Sequence, residues 1–521
     1  MRITIPLDER SVVPLFKQLA AGLRDMIARG DLTAGTKLPS SRELSEALGV
    51  SRSTVTKAYD VLIRSEFIIS QPASGTFVLD QSENSRLDSL PTESAARQKS
   101  GCQMPTSAGS AKNATGLVPG MSAVAASAEK ATVALKSPQL SDYGERICQS
   151  PEVEPSDVEL FEALNFSAPH LGQLPVARWT DMLVKASRNR ELDQSMYLSS
   201  ELGHEPLRQA LAAYLKRARG VRTIPERIAI FSGTQSALDL VCRIILNPGD
   251  EAAVENPGFP GARRTFAAYG ATILPIPVDS EGILVEHLFK ARPQPKVVYV
   301  TPGHHDPTGT VLSGSRRLRL LEWARQSNAW IIEDDFDSEY RYGEKPLPGL
   351  QSLDQFDCVI YLSAFWKVMF PLLHMGFVVV PERLLATLKR AKSLSERDFH
   401  FIEHAAFTDF INEGHLEKHI RKTKATYAKR RETLIREINR ELGTVLSVYP
   451  IGAGTHLLVR FHCPRSDQEL LALAKKAELP IVSTEAYYLQ GAKTGEFLLP
   501  FAHLEEESIT SGIKRFAVSL H

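Results

Sequence analysis

The residue in this chain best suited to covalent chemistry is Lys367, in the stretch YLSAFWKVMFPLLHMG from Tyr361 to Gly376. An apolar run leads into a sharp turn that carries the lysine, and Pro371 and Gly376 punctuate the return. That layout presents an amine to a cofactor aldehyde, with which it can form a Schiff base. A surface lysine on a loop satisfies the same stretch, and lysine is among the commonest exposed residues. The choice turns on whether the rest of the chain partners both ends of a pyridoxal phosphate.

Three other blocks offer partners. After RIAIF comes Ser232-Gly233-Thr234-Gln235 and then the apolar helix SALDLVCRIIL. Gly233 and Thr234 put backbone amides and a hydroxyl at a helix N-terminus, a ready phosphate site, although any strand-to-helix turn favours glycine. After WIIE comes Asp334-Asp335-Phe336-Asp337. A carboxylate there can keep a pyridine nitrogen protonated and make the ring an electron sink; solvated acids or a helix cap give the same pattern. After VVYVT comes PGHHDPTG, Pro302 to Gly309, and Phe259 in ENPGFPG can cover a ring face by stacking.

The elements that must position these residues alternate. From about Leu140 to His521, strand-like runs (RIAIF, KVVYV, WIIED, CVIYL) are interleaved with amphipathic helical patterns. This is the mark of an α/β domain with a mainly parallel sheet and helices on both faces. Ligands of such sheets sit beyond the carboxyl ends of strands, where the blocks above fall.

The first 79 residues read differently. Phe16, Leu19, Leu23 and Ile27 recur at helical spacing and Gly30 closes that helix. Ser40 and Glu43 stand in capping-box relation at the start of a second helix, with Leu44, Ala47 and Leu48 behind them and Gly49 as its stop. A third begins at Ser51, with Val55, Ala58, Tyr59, Leu62 and Ile63 as its buried stripe. FIISQPASGTFVL then gives two strands around a Pro/Ser/Gly turn, completing a winged helix-turn-helix. In such a module the third helix enters the major groove. Arg52 can read a guanine, Ser53 and Thr54 can hold phosphates, and Gly75 lets the wing approach the backbone; a solvated helix face is the alternative for Arg52 and Lys57.

Residues 80–138 are rich in Ser, Ala, Gly, Thr, Pro and Gln and poor in large apolar residues. Such a segment cannot bury enough surface to offset its ordering entropy, so a flexible linker is expected between a DNA-binding domain (1–79) and an effector-binding domain (139–521). The formal net charge of zero leaves DNA binding to a local patch. Five scattered cysteines without a CxxC pair fit a reducing compartment, read here as the cytoplasm. No stretch reaches the roughly 18 to 20 apolar residues of a membrane span.

The blocks LPSSREL, LGVSRSTV and SGTFV resemble the DNA-binding domain of the GntR family over nearly its whole length. Followed in order by SGTQSALDL, ENPGFPGAR, TPGHHDPTG, EDDFDSEYRY and the Lys367 loop, they make the chain similar to the MocR/GabR subfamily: transcription regulators fused to a fold-type I PLP-dependent aminotransferase-like domain. The resemblance implies operator contacts from Arg42, Arg52, Ser53 and Thr54. It implies pyridoxal 5'-phosphate on Lys367, with Asp334 at the pyridine nitrogen, Phe259 stacked, and Gly233, Thr234 and Gln235 around the phosphate. It also implies a homodimer in which Tyr197 reaches the neighbouring subunit's phosphate.

The departures from the family pattern are as informative. Phe336 replaces a tyrosine that donates to the cofactor's phenolic oxygen. Where members usually read GTFSK, this chain has Ser363-Ala364-Phe365-Trp366-Lys367, so Ala364 and Trp366 replace two phosphate-holding hydroxyls. His374 replaces an arginine, His305 a glutamine, and Leu498 stands where an active transaminase has an arginine for the substrate carboxylate. A protonated His374 can still pair with phosphate. The expectation is a DNA-binding regulator whose aminotransferase-like domain binds pyridoxal phosphate or a related small molecule as effector. The competing readings are a working aminotransferase carrying a DNA-binding domain, and a sensor that has lost pyridoxal phosphate.

Overall fold

The computed structural model describes residues 5, 14–64, 67–71, 75–79, 140–149, 169–188, 201–342, 348–396, 400–449 and 452–520. The chain divides into two compact units, 1–130 and 131–521. The expected linker and Tyr197 lie outside the described residues.

In the first unit, α1 (Leu15–Ala28), α2 (Ser41–Leu48) and α3 (Arg52–Arg64) pack beside a small antiparallel sheet of β1 (Lys37–Leu38), β3 (Gly75–Val78) and β2 (Ile68–Gln71), in that order. The capping box at α2 is complete: Ser40 Oγ accepts from the Glu43 amide and the Glu43 carboxylate accepts from the Ser40 amide. Gly49 ends the helix with φ +66°, a left-handed conformation that favours glycine. Leu19, Leu23, Ile27, Leu44, Val55, Ala58, Tyr59 and Leu62 form the core. Ile63 and Ala47, expected in the buried stripes, are exposed. Each sits at the margin of its helix's apolar arc, which this small core does not reach.

The second unit is built on an eight-stranded sheet. Its order is β4 (Ile228–Phe231), β11 (Gly376–Val379), β10 (Val359–Ala364), β9 (Trp330–Asp335), β8 (Val297–Val300), β5 (Glu251–Asn256), β6 (Thr272–Asp279) and β7 (Gly282–Ile283). β10, β9, β8, β5 and β6 run parallel, while β11 is antiparallel to both neighbours and β7 to β6. β4, β8 and β11 are buried along their whole length, which is why these segments are continuous apolar runs and do not alternate. A second, antiparallel sheet follows in the order β12 (Leu446–Val448), β13 (His456–Phe461), β15 (Glu496–Pro500), β14 (Val482–Ser483).

Three further helices matter for the site: α4 (Asp142–Gln149), α5 (Thr234–Ile245) and α6 (Pro260–Ala268). α5 follows β4 and α6 follows β5, so both start at the edge of the large sheet where the strands deliver their last residues. Gly376 is where β11 passes the start of α5. A Cβ there would lie 2.6 Å from the Gly233 carbonyl carbon and 2.8 Å from the Thr234 nitrogen, a contact only glycine permits.

Candidate functional site

Lys367 lies in a single helical turn, α7 (Trp366–Met369), between β10 and β11. It is 8% exposed, and its Nζ sits 3.5 Å from Thr455 Oγ1 and 5.7 Å from the centre of the Phe336 ring. Burial holds the amine below the usual lysine range, while the Asp337 and Asp306 carboxylates pull the other way. Lowering an amine's pKa raises the share of its nucleophilic, unprotonated form.

This amine opens into a cavity of about 300 Å³. It is lined by Thr234, Gln235, Ala364, Trp366 and His374, by Phe259, Tyr299 and Asp334, and by Thr301, Asp306, Phe336, His456 and Tyr487. The structure thus brings together all the expected cofactor residues that it describes, Gly233 joining as the N-cap of α5.

Asp334 is the next-to-last residue of β9, and Tyr299, on the neighbouring β8, donates a hydrogen bond to its Oδ2. Oδ1 is buried with no partner. Burial pushes the carboxyl up to about 7, against the Tyr299 hydrogen bond and with help from Asp335 and Asp306. A buried carboxylate oxygen lacking a donor, on a cavity wall, is the acceptor that a protonated ring nitrogen requires. Phe259 is the N-cap of α6, with its ring stacked on Tyr299 at 6.2 Å and 25°. A Cβ on Gly261 would come within 2.5 Å of the Phe259 ring, so glycine there leaves room for the ring to lie across the helix start. Gln235 is tied by its Nε2 to Thr265 Oγ1 at 2.6 Å, joining α5 to α6.

The end nearest α5 is unusual. No side chain caps the helix. The imidazole of His374 covers Gly233, at 3.1 to 3.2 Å from where a Cβ would stand, and packs edge-on to Trp366 at 5.2 Å. Trp366 in turn stacks on Phe370 at 3.6 Å. The donors at this end are therefore one imidazole, the Thr234 hydroxyl and the first amides of a 12-residue helix, beside an aromatic wall.

The surroundings of Phe336 are acidic and braced. His304 Nδ1 hydrogen-bonds the Asp337 carboxylate at 2.8 Å, and its ring stacks on Phe336 at 5.8 Å, the same ring that Lys367 Nζ approaches. Gly454, with φ +85°, makes room for His304: a Cβ would lie 2.3 Å from its Cε1. His305 bonds Thr308 Oγ1 through Nδ1, and its Nε2 lies 3.6 Å from Glu255. The Tyr487 segment is clasped onto the loop after β5: Gly258 donates to the Tyr487 carbonyl, Arg263 to that of Ala486, and Asn256 exchanges bonds with Leu489 and Gln490. Leu498 is fully buried against Leu458 and an apolar fringe that includes Val482 and Tyr487.

Five lining residues, Tyr299, Thr301, Asp306, His456 and Tyr487, and Thr455 beside the lysine amine were not singled out by sequence. Asp306 lay within a quoted block, and its charge was the available signal; Thr455, His456 and Tyr487 come from the distant second sheet, and no local pattern announces them.

In the first unit Arg52 opens α3, exposed, its Nε donating to Ser41 Oγ at 3.2 Å. Ser53 is exposed and Thr54 half-buried; Ser51 Oγ is 2.8 Å from both hydroxyls and accepts from the Thr54 amide. Arg42 is exposed on α2, 3.2 Å from Glu46. Gly75, with φ +122°, opens β3 and is crossed by the Lys37 stem, 2.6 Å from where a Cβ would be.

Among the described residues no helix is long and apolar enough to cross a membrane. Residues 15–78 match the family of bacterial regulatory proteins named gntR, and residues 168–514 match aminotransferase class I and II. The chain is 31% identical to the probable rhizopine catabolism regulatory protein MocR of Rhizobium meliloti, over 97% of this chain and 94% of that one. It is 27% identical to the pyridoxine biosynthesis transcriptional regulator PdxR of Corynebacterium glutamicum, over 97% and 96%. Pyrococcus horikoshii kynurenine aminotransferase, solved in complex with PMP, superposes with a TM-score of 0.64 at 27% identity, covering 71% of this chain and 96% of that one. Aminotransferases of this fold are pyridoxal phosphate enzymes. With both domains matched and full-length relatives of the same architecture, the chain belongs to the MocR/GabR subfamily of GntR-type transcription regulators, a winged helix-turn-helix joined to an aminotransferase-like domain.

Proposed function

We propose that this regulator's aminotransferase-like domain binds pyridoxal 5'-phosphate through Lys367 and that occupancy sets its affinity for a double-stranded operator. The observation that carries the reading is the pairing, in one cavity, of a buried lysine amine with the partnerless Oδ1 of Asp334. When bound, the cofactor supplies an aldehyde and an electron-withdrawing ring. Lys367 would hold the aldehyde end, Asp334 would keep the ring nitrogen protonated, and Phe259 would cover a ring face. Gly233, Thr234, Gln235 and His374 would hold the phosphate. Operator contact falls to Arg42, Arg52, Ser53 and Thr54, with Gly75 at the wing, in a cytoplasmic homodimer to which Tyr197 contributes across the interface.

A route for coupling exists within the second unit. α5 and α6 both begin at the cavity, and their far halves meet at Tyr269, whose hydroxyl bonds Asp239 Oδ1 at 2.9 Å and accepts from Arg243 Nε at 3.3 Å. α4, the helix that follows the linker region, is fastened to this junction. Arg146 Nε donates to the Ala268 carbonyl at 2.8 Å, and Tyr143 packs on Tyr269 at 5.1 Å. Ligand pressure on either helix start would in this way reach α4.

The aromatic wall of Trp366 and Phe370 favours a second reading, in which the ligand carries no phosphate. A gel-shift series on a candidate operator, with pyridoxal phosphate, with pyridoxal and with neither, tests both. The first reading expects the phosphate form alone to change affinity or footprint. No effector-dependent change contradicts both.

A further inference from the structure

The small sheet of the first unit holds a cation that no sequence motif singles out. β1 and β3 pair antiparallel with Lys37 opposite Phe77, and β2 sets Ile69 opposite the same Phe77. Successive residues of a strand point to opposite faces, so Lys37, Phe77, Ile69 and Gly75 share the outer face. Leu38, Ile68 and Val78 turn inward and are buried. On the outer face the Lys37 side chain runs along the sheet towards Gly75, the first residue of β3 after the wing turn. Its Cε lies 2.6 Å and its Nζ 3.3 Å from where a Cβ on Gly75 would stand, and the ammonium is 5.9 Å from the centre of the Phe77 ring. A side chain at Gly75 would occupy the path of the lysine stem.

The ammonium so placed lacks a counter-charge. Lys37 is exposed, and among the described residues no carboxylate pairs with it. Glu43 feels its charge only as the least of the influences on its carboxyl, and that carboxyl already accepts from the Ser40 amide in the capping box of α2. The whole chain carries no net charge, so duplex binding has to come from local cations of this kind. In a DNA-binding unit, the anion that an exposed, unpaired ammonium at the wing meets is a backbone phosphate.

We propose that Lys37 is a phosphate contact of the wing on duplex DNA, and that Gly75 serves the complex through it, as the seat of the lysine stem, and not by its own close approach to the backbone. The proposal rests on operator contact by the first unit and adds to that contact a residue outside the helix-turn-helix. As a point charge on a flexible stem, Lys37 contributes affinity without reading sequence.

The test is fluorescence anisotropy of the full chain on a candidate operator and on a scrambled duplex of the same length, over a salt series, at a temperature where circular dichroism shows every variant folded. Lys37→Met keeps an apolar stem on Phe77 and removes the charge. It is expected to weaken both duplexes several-fold and equally, and to make the slope of log affinity against log salt shallower by about one for each chain engaged. Lys37→Arg is expected to keep the parental slope. Gly75→Ala should flatten the slope as Lys37→Met does, and the double variant no further. An unchanged slope in Lys37→Met overturns the proposal and leaves the lysine as a cover for Phe77. A loss confined to the operator overturns the phosphate assignment in favour of a base contact. A further flattening in the double variant overturns the seating role of Gly75. A parent chain that binds neither duplex at any salt concentration overturns the operator reading, and this proposal with it.

Discussion

Tyr299 and Asp334 divide one carboxylate between the protein and the cavity: the phenol donates to Oδ2, and Oδ1 stays buried without a hydrogen bond. The arrangement fixes the side chain while reserving one oxygen, which destabilises the empty protein and stabilises a complex with a donor.

Asp334→Asn should therefore separate stability from binding. Burial raises the carboxyl from 3.8 to about 7, so between those values the folded state holds a proton that the unfolded state has lost. Stability then falls as pH rises through this window, and the full penalty is present above it. The cofactor-free variant should melt about 2 to 4 °C higher than the parent at pH 8 and no higher at pH 4. Its affinity for pyridoxal phosphate should drop, a combination that differential scanning calorimetry and a spectral titration check together.

The phosphate end is open to repair. Replacing His374 by arginine, with Trp366→Ser to restore a hydroxyl, should tighten pyridoxal phosphate by roughly tenfold or more, since a charge-assisted hydrogen bond is worth about 1.5 to 3 kcal/mol. Pyridoxal, which lacks the phosphate, should gain nothing. Equal gains for both would mean that the variants act on general access and not on phosphate.

Much of this was legible in the sequence, unevenly. The strands RIAIF, KVVYV, WIIED and CVIYL announced themselves because their central residues are buried on both faces and so read as short apolar runs, with polar residues only at their ends. Ser40 and Glu43 gave the start of α2 because capping is local chemistry. Lys367, Asp334, Phe259 and the Gly233 turn were found because each lies at or just after the carboxyl end of a strand. Thr455, His456 and Tyr487 were not, since it is the second sheet, folded against the first, that brings them in. The Trp366, Phe370 and His374 stack was likewise hidden: its members were readable as substitutions, but their packing on one another depends on the turn between β10 and β11.

The DNA-binding surface yields a prediction of different form. Arg52 is exposed at the start of α3, and among the described residues its guanidinium bonds Ser41, a weak tie that a base edge can displace. Arg52→Ala should cost about 1 to 3 kcal/mol of operator affinity and relax sequence preference at one position. Arg42→Ala, which removes a phosphate-directed charge, should weaken binding uniformly and reduce the salt slope by about one. Fluorescence anisotropy over a salt series distinguishes the two.

Coupling through α4 makes a further prediction. Arg146→Ala breaks the tie to the Ala268 carbonyl, about 122 positions away in sequence, without touching the cavity. Cofactor uptake should be unchanged, while the effector-dependent shift in operator affinity should shrink several-fold. A full-sized shift in the variant would place the coupling elsewhere.

The central claim is that Lys367 takes the aldehyde of pyridoxal phosphate, and one spectral titration tests it most directly. The purified full-length chain should develop a visible absorbance band on addition of pyridoxal phosphate, retain it through gel filtration, and lose it on borohydride treatment with the label recovered on the peptide containing Lys367. Lys367→Ala should show neither band nor label while melting as a folded protein. A band of equal intensity in Lys367→Ala, or no band in the parent at saturating cofactor, would contradict the account.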